Sequence, residues 1–361
     1  MSRAECVMIR LLEKDAIRSS NLTLPYSPIR MVDFLRFWLL ALLAIAACEV
    51  LAAGAGYGIA PGARAVSGKI SEWPVPTAKF PRDPAVAPDG NIYFAVKKGD
   101  RIARFDPKSE RFKEWGLPAG TLPNGVVVAA DGNVIFGGFG SGTINELDPT
   151  TGKLREYKTP SRGSTPYTLT IDTQGNVWFT ERKSSYLGKL ERLSGKITEY
   201  RVGDDPYGVA VDKQGNAWVS RKSADMFAKL DPNTGTVTEI YLGLGSQPRR
   251  VAVASDGMVW VALYGTGKLA KVDPVANKVV KQYELPGGPN GGPYAVNTDK
   301  DGRIWVSEIQ TNSVILFDPR TAAMRVFELP STHSGVRSAT IDADGRYWYI
   351  GSYSGKLGVI E

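Results

Sequence analysis

Cysteine and histidine are both scarce in this chain of 361 residues. The two cysteines, Cys6 and Cys48, both lie in the first 53 residues. The rest of the chain therefore contains no disulfide bond, whatever the redox state of its compartment. The single histidine, His333, lies in a segment that reads as a connecting loop and is predicted to be solvated.

The sequence also lacks concentrated positive charge and helical periodicity. The net charge is +7, but lysine and arginine are spread along the chain without a cluster. This distribution argues against a nucleic-acid partner. No stretch after residue 53 combines helical apolar spacing with capping residues, so we expect a body made of strands.

Residues 1–53 have the layout of a targeting segment. Arg30 and Arg36 precede the apolar part of residues 34–53, and small residues follow it, which is typical of a secretory signal. Its uninterrupted apolar stretch is short for a membrane-spanning helix. Residues 1–30 are unusual for a signal, so translation could instead begin at Met31. The sequence predicts export to the periplasm or the extracellular space.

Cys48 leaves two modes of export open. It ends the stretch Ile-Ala-Ala-Cys, which resembles the lipobox of bacterial lipoproteins and would make Cys48 a lipidation site and membrane anchor. Ordinary cleavage near Ala52 or Ala53 is the alternative. In both cases residues 54–67, rich in glycine and alanine, are expected to form a flexible leader.

The remaining residues, 68–361, contain a repeat. Seven copies share a turn of the type Asp/Gln-Gly-X followed by an apolar residue and usually an aromatic one, and successive copies start 42, 43, 40, 42, 45 and 43 residues apart. The first residues of these turns are Asp89, Asp131, Gln174, Gln214, Asp256, Asp301 and Asp344. A regular period of this length indicates a repeat architecture.

Each copy reads as four short strands separated by turns, which predicts an all-β, seven-bladed β-propeller of four-stranded antiparallel blades. The last copy stops after its third strand, whereas residues 69–75 match the fourth strands of other copies. We therefore expect Lys69–Val75 to complete the last blade and close the ring, which hides its edges. Such a closed ring is expected to be a monomer.

Two sets of equivalent positions are predicted to surround the channel on one face. The first set is the residue that follows the opening residue of the first strand, usually a proline. The second set is the end of the second strand, 14 residues later. In copies three to seven the first set is Tyr167, Tyr207, Arg249, Tyr294 and Arg337. The second set is Glu181, Arg221, Leu263, Glu308 and Gly351. Copies one and two look plainer, with no carboxylate at the matching places.

These features resemble the virginiamycin B lyase (streptogramin lyase) family. The resemblance covers residues 68–361 and rests on the phrases PYGVAVDKQGNAWVS, GNVWFTE and GKITEY, which begin at Pro206, Gly175 and Gly195. It implies a carbon–oxygen lyase that opens cyclic peptide or ester substrates with a bound Mg²⁺. Carried over by position, it makes Glu181 and Glu308 candidate metal ligands. It makes these glutamates, Tyr207 and Tyr294 candidate catalytic residues.

The pattern departs from the family at its histidine positions, which hold tyrosine or arginine here. An unperturbed tyrosine is a poor base at neutral pH, so a non-catalytic propeller that binds a ligand or protein is an alternative. Tyr167, Arg221, Arg249 and Arg337 would then bind a small molecule, peptide or glycan at the channel mouth. Glu181 could simply pair with Arg221 on the next blade. A gluconolactonase-like lactone hydrolase is a further alternative.

Overall fold

The computed structural model describes residues 65–361. The predicted targeting segment, residues 1–53, with Met31 and Cys48, lies outside the described residues, as does most of the predicted leader. The predictions made for them stay predictions. Within the described part, Val66 is already buried against the propeller. No helix of that part has the length and apolar character needed to cross a membrane.

In the described residues, 28 strands form seven antiparallel sheets of four strands each. Blade 1 contains β2 Pro81–Val86, β3 Ile92–Val96, β4 Arg101–Asp106 and β5 Arg111–Gly116. Blade 2 contains β6 Pro123–Val128, β7 Val134–Gly138, β8 Thr143–Leu147 and β9 Leu154–Lys158. Blade 3 contains β10 Pro166–Ile171, β11 Val177–Glu181, β12 Tyr186–Glu191 and β13 Lys196–Arg201. Blades 4 and 5 contain β14 Pro206–Val211, β15 Ala217–Arg221, β16 Met226–Asp231, β17 Thr236–Tyr241; and β18 Pro248–Val253, β19 Val259–Leu263, β20 Lys268–Asp273, β21 Lys278–Glu284. Blades 6 and 7 contain β22 Pro293–Thr298, β23 Ile304–Glu308, β24 Ser313–Asp318, β25 Ala323–Glu328; and β26 Val336–Ile341, β27 Tyr347–Gly351, β28 Lys356–Ile360, β1 Ile70–Pro74. Single 3-10 turns span Lys97–Gly99, Lys222–Ala224 and Gly288–Asn290.

The first strand of each blade is innermost, because the first strands of neighbouring blades contact one another around the ring. The chain is thus a seven-bladed β-propeller, as the repeat predicted. The turn shared by the repeats connects the first two strands of each blade. In blade 4, Gly215 adopts φ +86° in the turn between the first two strands, a conformation that glycine adopts without steric penalty.

A buried tryptophan in the second strand is fixed by the same turn. Trp218 is fully buried, and its Nε1 donates to Oδ2 of Asp212 at 2.9 Å. The same bond between tryptophan and aspartate recurs in blades 3, 6 and 7. The aspartate thus satisfies the polar atom of a large apolar side chain, and the tryptophan packs between neighbouring sheets. The repeat therefore encodes both the turn and the core of the blade.

Ring closure is as the sequence predicted. Strand β1 pairs with β28 in antiparallel register, with Ile70 opposite Ile360 and Pro74 opposite Lys356. Glu72 on β1 accepts hydrogen bonds from Tyr349 Oη at 2.8 Å and from Lys356 Nζ at 3.2 Å. Blade 7 is therefore built from both ends of the described chain.

Candidate functional site

The first strand of each blade begins with a proline, or with Val336 in blade 7, and the residue of interest is the second one of that strand. Going round the ring, these residues are Arg82, Asn124, Tyr167, Tyr207, Arg249, Tyr294 and Arg337. Blades 1 and 2 are richer than the sequence suggested, since they add Arg82, Asn124 and the buried carboxylate Asp83. Pro81 and Pro123 mark the same strand position and could have identified these residues.

Three tyrosines from this ring form a buried cluster. Tyr167, Tyr207 and Tyr294 are each less than 5% exposed and pack against one another. The hydroxyls of Tyr167 and Tyr207 are 2.7 Å apart, and those of Tyr207 and Tyr294 are also hydrogen-bonded. The structure therefore joins the two candidate catalytic tyrosines, Tyr207 and Tyr294, through their phenol groups.

An ion cluster lies directly beside the tyrosines. Arg250 of blade 5 pairs with Asp83 of blade 1 across the channel, and Nε of Arg82 lies 3.5 Å from the same carboxylate. Asp83 also accepts hydrogen bonds from Nδ2 of Asn124 at 3.2 Å and from the backbone N–H of Gly125 at 3.0 Å. Burial opposes ionisation of Asp83, but the charges of Arg250 and Arg82 outweigh it and lower the pKa of Asp83.

The pKa values of the tyrosines move in opposite directions. Burial opposes ionisation of Tyr167, but the charges of Arg82 and Arg250 and the hydrogen bond with Tyr207 outweigh it, so the pKa of Tyr167 falls to about 8. Burial and the charge of a neighbouring Tyr167 phenolate raise the pKa of Tyr207. The site therefore contains one acidic phenol and one that stays protonated.

Glu181 and Glu308, the two predicted metal ligands, are buried and hydrogen-bonded to separate loops. Glu308 Oε2 accepts the backbone N–H of Gly287 at 3.0 Å, and Glu181 Oε2 accepts from Ser184 Oγ at 3.0 Å. They belong to blades 6 and 3. Neither lines the cavity at the channel mouth, and burial raises the pKa of Glu308.

The remaining predicted positions divide between the cavity and the loops. Arg221 pairs with Glu239 of its own blade rather than with Glu181. Leu263 and Gly351 are buried at the ends of their strands. The residue that follows the second strand faces the cavity instead, as Arg182, Lys222, Tyr264 and Ile309 show.

Burial also gives Glu181 a testable effect on stability. Burial, reinforced by the charge of Glu199, raises its pKa from 4.5 to about 7. A folded-state pKa above the unfolded value gives stability that is present below about pH 4.5 and is lost as the pH rises through about 7. Glu181→Gln removes this pH dependence. From pH 5 to pH 8, the free energy of unfolding of the wild type should therefore fall by about 2 to 3 kcal/mol relative to that of the variant.

Urea denaturation at both pH values measures this difference. Glu156→Gln, at an exposed position on β9, is the matched control and should follow the wild type. Equal pH dependence of stability in Glu181→Gln and the wild type would contradict the raised pKa of Glu181.

The mouth of the channel opens into a cavity of about 660 Å³. Its walls include four basic side chains, Arg182, Lys222, Arg249 and Arg337, and four tyrosines, Tyr207, Tyr264, Tyr294 and Tyr353. His333 lies at its exposed rim, which agrees with a solvated loop residue. Among the described residues, no carboxylate lines the cavity. The cavity is therefore cationic and aromatic.

Two of these cations have no carboxylate partner in residues 65–361. Arg249 donates to the carbonyl oxygen of Gln247 at 2.8 Å and stacks on Tyr264, with its guanidinium carbon 4.2 Å from the ring centroid. Arg337 bonds to the hydroxyl of Tyr353, while its buried Nε has no hydrogen-bond partner. By contrast, Arg182 and Lys222 share Asp205. Arg249 and Arg337 are thus free to bind an anion.

The cavity does not fit the Mg²⁺ ion that the resemblance implied. Magnesium requires carboxylate and other oxygen ligands, and the positive charges of Arg249 and Arg337 at the walls repel a cation. In the described part of the chain, no group of three His, Cys, Asp or Glu side chains is placed to hold a metal ion. We therefore derive no chemical step through a metal.

Comparisons with known proteins agree with the fold. The model of the virginiamycin B lyase family matches residues 60–226 and 193–361. A solved streptogramin B lyase is 23% identical with a TM-score of 0.75, covering 81% of this chain and 97% of the other. No curated protein matches the chain significantly.

Two further solved structures are similar. A catalytically inactive His-to-Ala variant of virginiamycin B lyase from Staphylococcus aureus, solved with quinupristin, is 20% identical with a TM-score of 0.74, covering 81% of this chain and 98% of the other. Hydrazine synthase of Kuenenia stuttgartiensis is 15% identical with a TM-score of 0.69, covering 82% and 99%. Identities this low show a shared fold only.

Proposed function

This chain belongs to the virginiamycin B lyase family, and from that premise we propose that its channel mouth binds a small carboxylate-bearing ligand, such as an acidic glycan or peptide. The observation that carries the proposal is the pair of arginines, Arg249 and Arg337, that face the cavity without a carboxylate partner. Guanidinium groups bind carboxylates through paired, charge-assisted hydrogen bonds.

The size and walls of the cavity support the same ligand class. A volume of about 660 Å³ lies in the range of small-molecule sites, which is about 300 to 1,000 Å³. Tyr264 and the exposed Tyr353 line the cavity beside the arginines, and aromatic side chains pack well against sugar rings and peptide side chains. The ligand's carboxylate would thus meet Arg249 and Arg337 while its apolar faces contact tyrosine.

Binding can be tested with tri-galacturonate, citrate and an acidic tetrapeptide, each compared with its neutral ester by calorimetry. At least one acid should bind more tightly than its ester. Arg249→Gln and Arg337→Gln should each weaken that binding about tenfold or more, because a charged hydrogen-bonding partner contributes about 1.5 to 3 kcal/mol. Arg155→Gln, on the exposed edge of β9, is the matched control. Equal binding of all acids and esters would contradict the proposal.

A second candidate function is the carbon–oxygen lyase activity implied by the family. Its support is the presence of Tyr207 and Tyr294 on the cavity wall, at the strand position where the family keeps histidine. Loss of a cyclic ester substrate, and its abolition in Tyr294→Phe, would favour this activity over binding alone. A lactone hydrolase has less support, because the channel carboxylate Asp83 is already paired with arginine.

A further inference from the structure

Within residues 65–361, the inner channel holds more buried positive charge than negative charge. Arg82, Arg249 and Arg250 are 4%, 6% and 6% exposed, and Asp83, at 4%, is the buried carboxylate among them. A buried ion that lacks a partner is strongly unfavourable. A further anion, either from a ligand or from the protein itself, would therefore stabilise the cluster.

Tyr167 lies where that anion is needed. Nη2 of Arg82 donates to its hydroxyl oxygen at 3.1 Å. The guanidinium carbons of Arg182, Arg82 and Arg250 lie 5.0, 5.2 and 5.7 Å from its ring centroid. A phenolate at this position would be stabilised by three cations at once, and the lowered pKa of Tyr167 agrees with this geometry.

The other two tyrosines connect Tyr167 to the cavity. Tyr207 and Tyr294 line the cavity, whereas Tyr167 does not. Their hydroxyls form a continuous hydrogen-bonded series from Tyr294 through Tyr207 to Tyr167. Because a hydroxyl can both donate and accept, this series can pass a proton between the cavity and the buried end.

We propose that Tyr167 is an internal counter-anion of the arginine cluster and that it takes up a proton, through Tyr294 and Tyr207, when an anionic ligand fills the cavity. The ligand part rests on the proposed function. In this transfer a solvent proton binds the oxygen of Tyr294, each hydroxyl proton moves one place inward, and the phenolate oxygen of Tyr167 becomes a hydroxyl. Water is the only other participant, and no bond to carbon changes.

Binding of the ligand and ionisation of Tyr167 are coupled because both anions interact with the same cations. Arg182 lines the cavity and also faces the ring of Tyr167. A bound anion therefore raises the pKa of Tyr167, and by linkage the affinity falls as the pH rises above about 8. The charged and titratable groups that face Tyr167 are Arg82, Asp83, Lys97, Arg182, Tyr207, Arg249 and Arg250.

Lys97 is the other group of this set that titrates near the same pH. Burial and the charge of Arg82 lower its pKa to about 8. Deprotonation of Lys97 would also weaken anion binding, so the pH dependence of affinity alone does not identify Tyr167. The near-ultraviolet absorbance of tyrosinate does, since a lysine contributes nothing to it.

Absorbance titration of the ligand-free chain tests the buried phenolate. One phenol should ionise with a midpoint of about pH 8, and Tyr167→Phe should abolish that transition. Tyr207→Phe removes one hydrogen bond to the phenolate and should move the transition to higher pH. This variant tests whether Tyr167 is the ionising phenol if Tyr167→Phe does not fold. Tyr241→Phe, at an exposed position, should leave it unchanged. The absence of any phenol that ionises below about pH 9.5 would overturn the proposal.

Calorimetry with tri-galacturonate in two buffers of different ionisation enthalpy tests the coupling. At about pH 8 binding should take up a measurable fraction of one proton, at pH 6 it should take up none, and Tyr167→Phe should abolish the uptake. Binding without proton uptake at pH 8 would overturn the coupling alone. If tri-galacturonate does not bind, citrate or the acidic tetrapeptide replaces it. Failure of all three to bind counts against both the coupling and the anion site, while the absorbance titration still decides on the phenolate.

Discussion

Replacing Asp83 by asparagine should lower the free energy of unfolding by about 3 to 5 kcal/mol, because it removes one partner of a buried ion cluster. Asp83 is the carboxylate that Arg250 and Arg82 share. Its loss leaves two guanidinium groups buried without a full counter-charge. The uncompensated positive charge, rather than a lost contact, makes the effect large.

Asparagine is the appropriate substitution because it keeps the shape of the side chain. Asp83 adopts φ +51°, and asparagine tolerates this left-handed conformation better than most residues. Urea denaturation at neutral pH measures the effect. Asp344→Asn, at an exposed turn aspartate of blade 7, is the matched control and should change stability by about 0.5 kcal/mol or less. A similarly small change in Asp83→Asn would show that the cluster does not stabilise the channel.

The second large effect concerns ring closure. A chain that begins at residue 77 lacks β1, so blade 7 keeps only three strands and β28 becomes an open edge. Trp73 packs 4.8 Å from Phe105 and 5.9 Å from Trp348, measured between ring centroids, and these contacts are lost too. We expect the free energy of unfolding to fall by about 5 kcal/mol or more. We also expect the shortened chains to associate through the exposed edge of β28.

Thermal denaturation and light scattering measure both consequences. A chain that begins at residue 65, which keeps β1, is the matched control and should behave as the full chain does. Addition of a peptide of residues 65–76 should restore stability to the shorter chain. If both chains unfold at the same temperature without association, the pairing of β1 with β28 does not close the ring.

The repeat allowed most of the fold to be predicted from sequence. The shared turn fixes two strands and the buried tryptophan, as in Asp212 and Trp218, because these interactions are local. Closure by β1 was predictable because the fourth strands share a common pattern. The ring of residues after the first-strand proline was also predictable in five of its positions, from Tyr167 to Arg337.

The site itself was less accessible to sequence reasoning. Side chains alternate along a strand, so a difference of one residue changes the face. Arg182, rather than Glu181, therefore lines the cavity. The ion pair between Arg250 and Asp83 spans 167 residues and crosses the channel, so it depends on the geometry of the closed ring. No local pattern encodes such a pair.

Anomalous diffraction from crystals of the full chain would show whether the channel mouth is an anion site. One set of crystals would contain bromide and another manganese, a substitute for magnesium. Bromide should lie in the cavity beside Arg249 and Arg337, and no manganese should be bound to Glu181 or Glu308. Manganese at either glutamate, with the cavity empty of bromide, would contradict an anion site at the channel mouth.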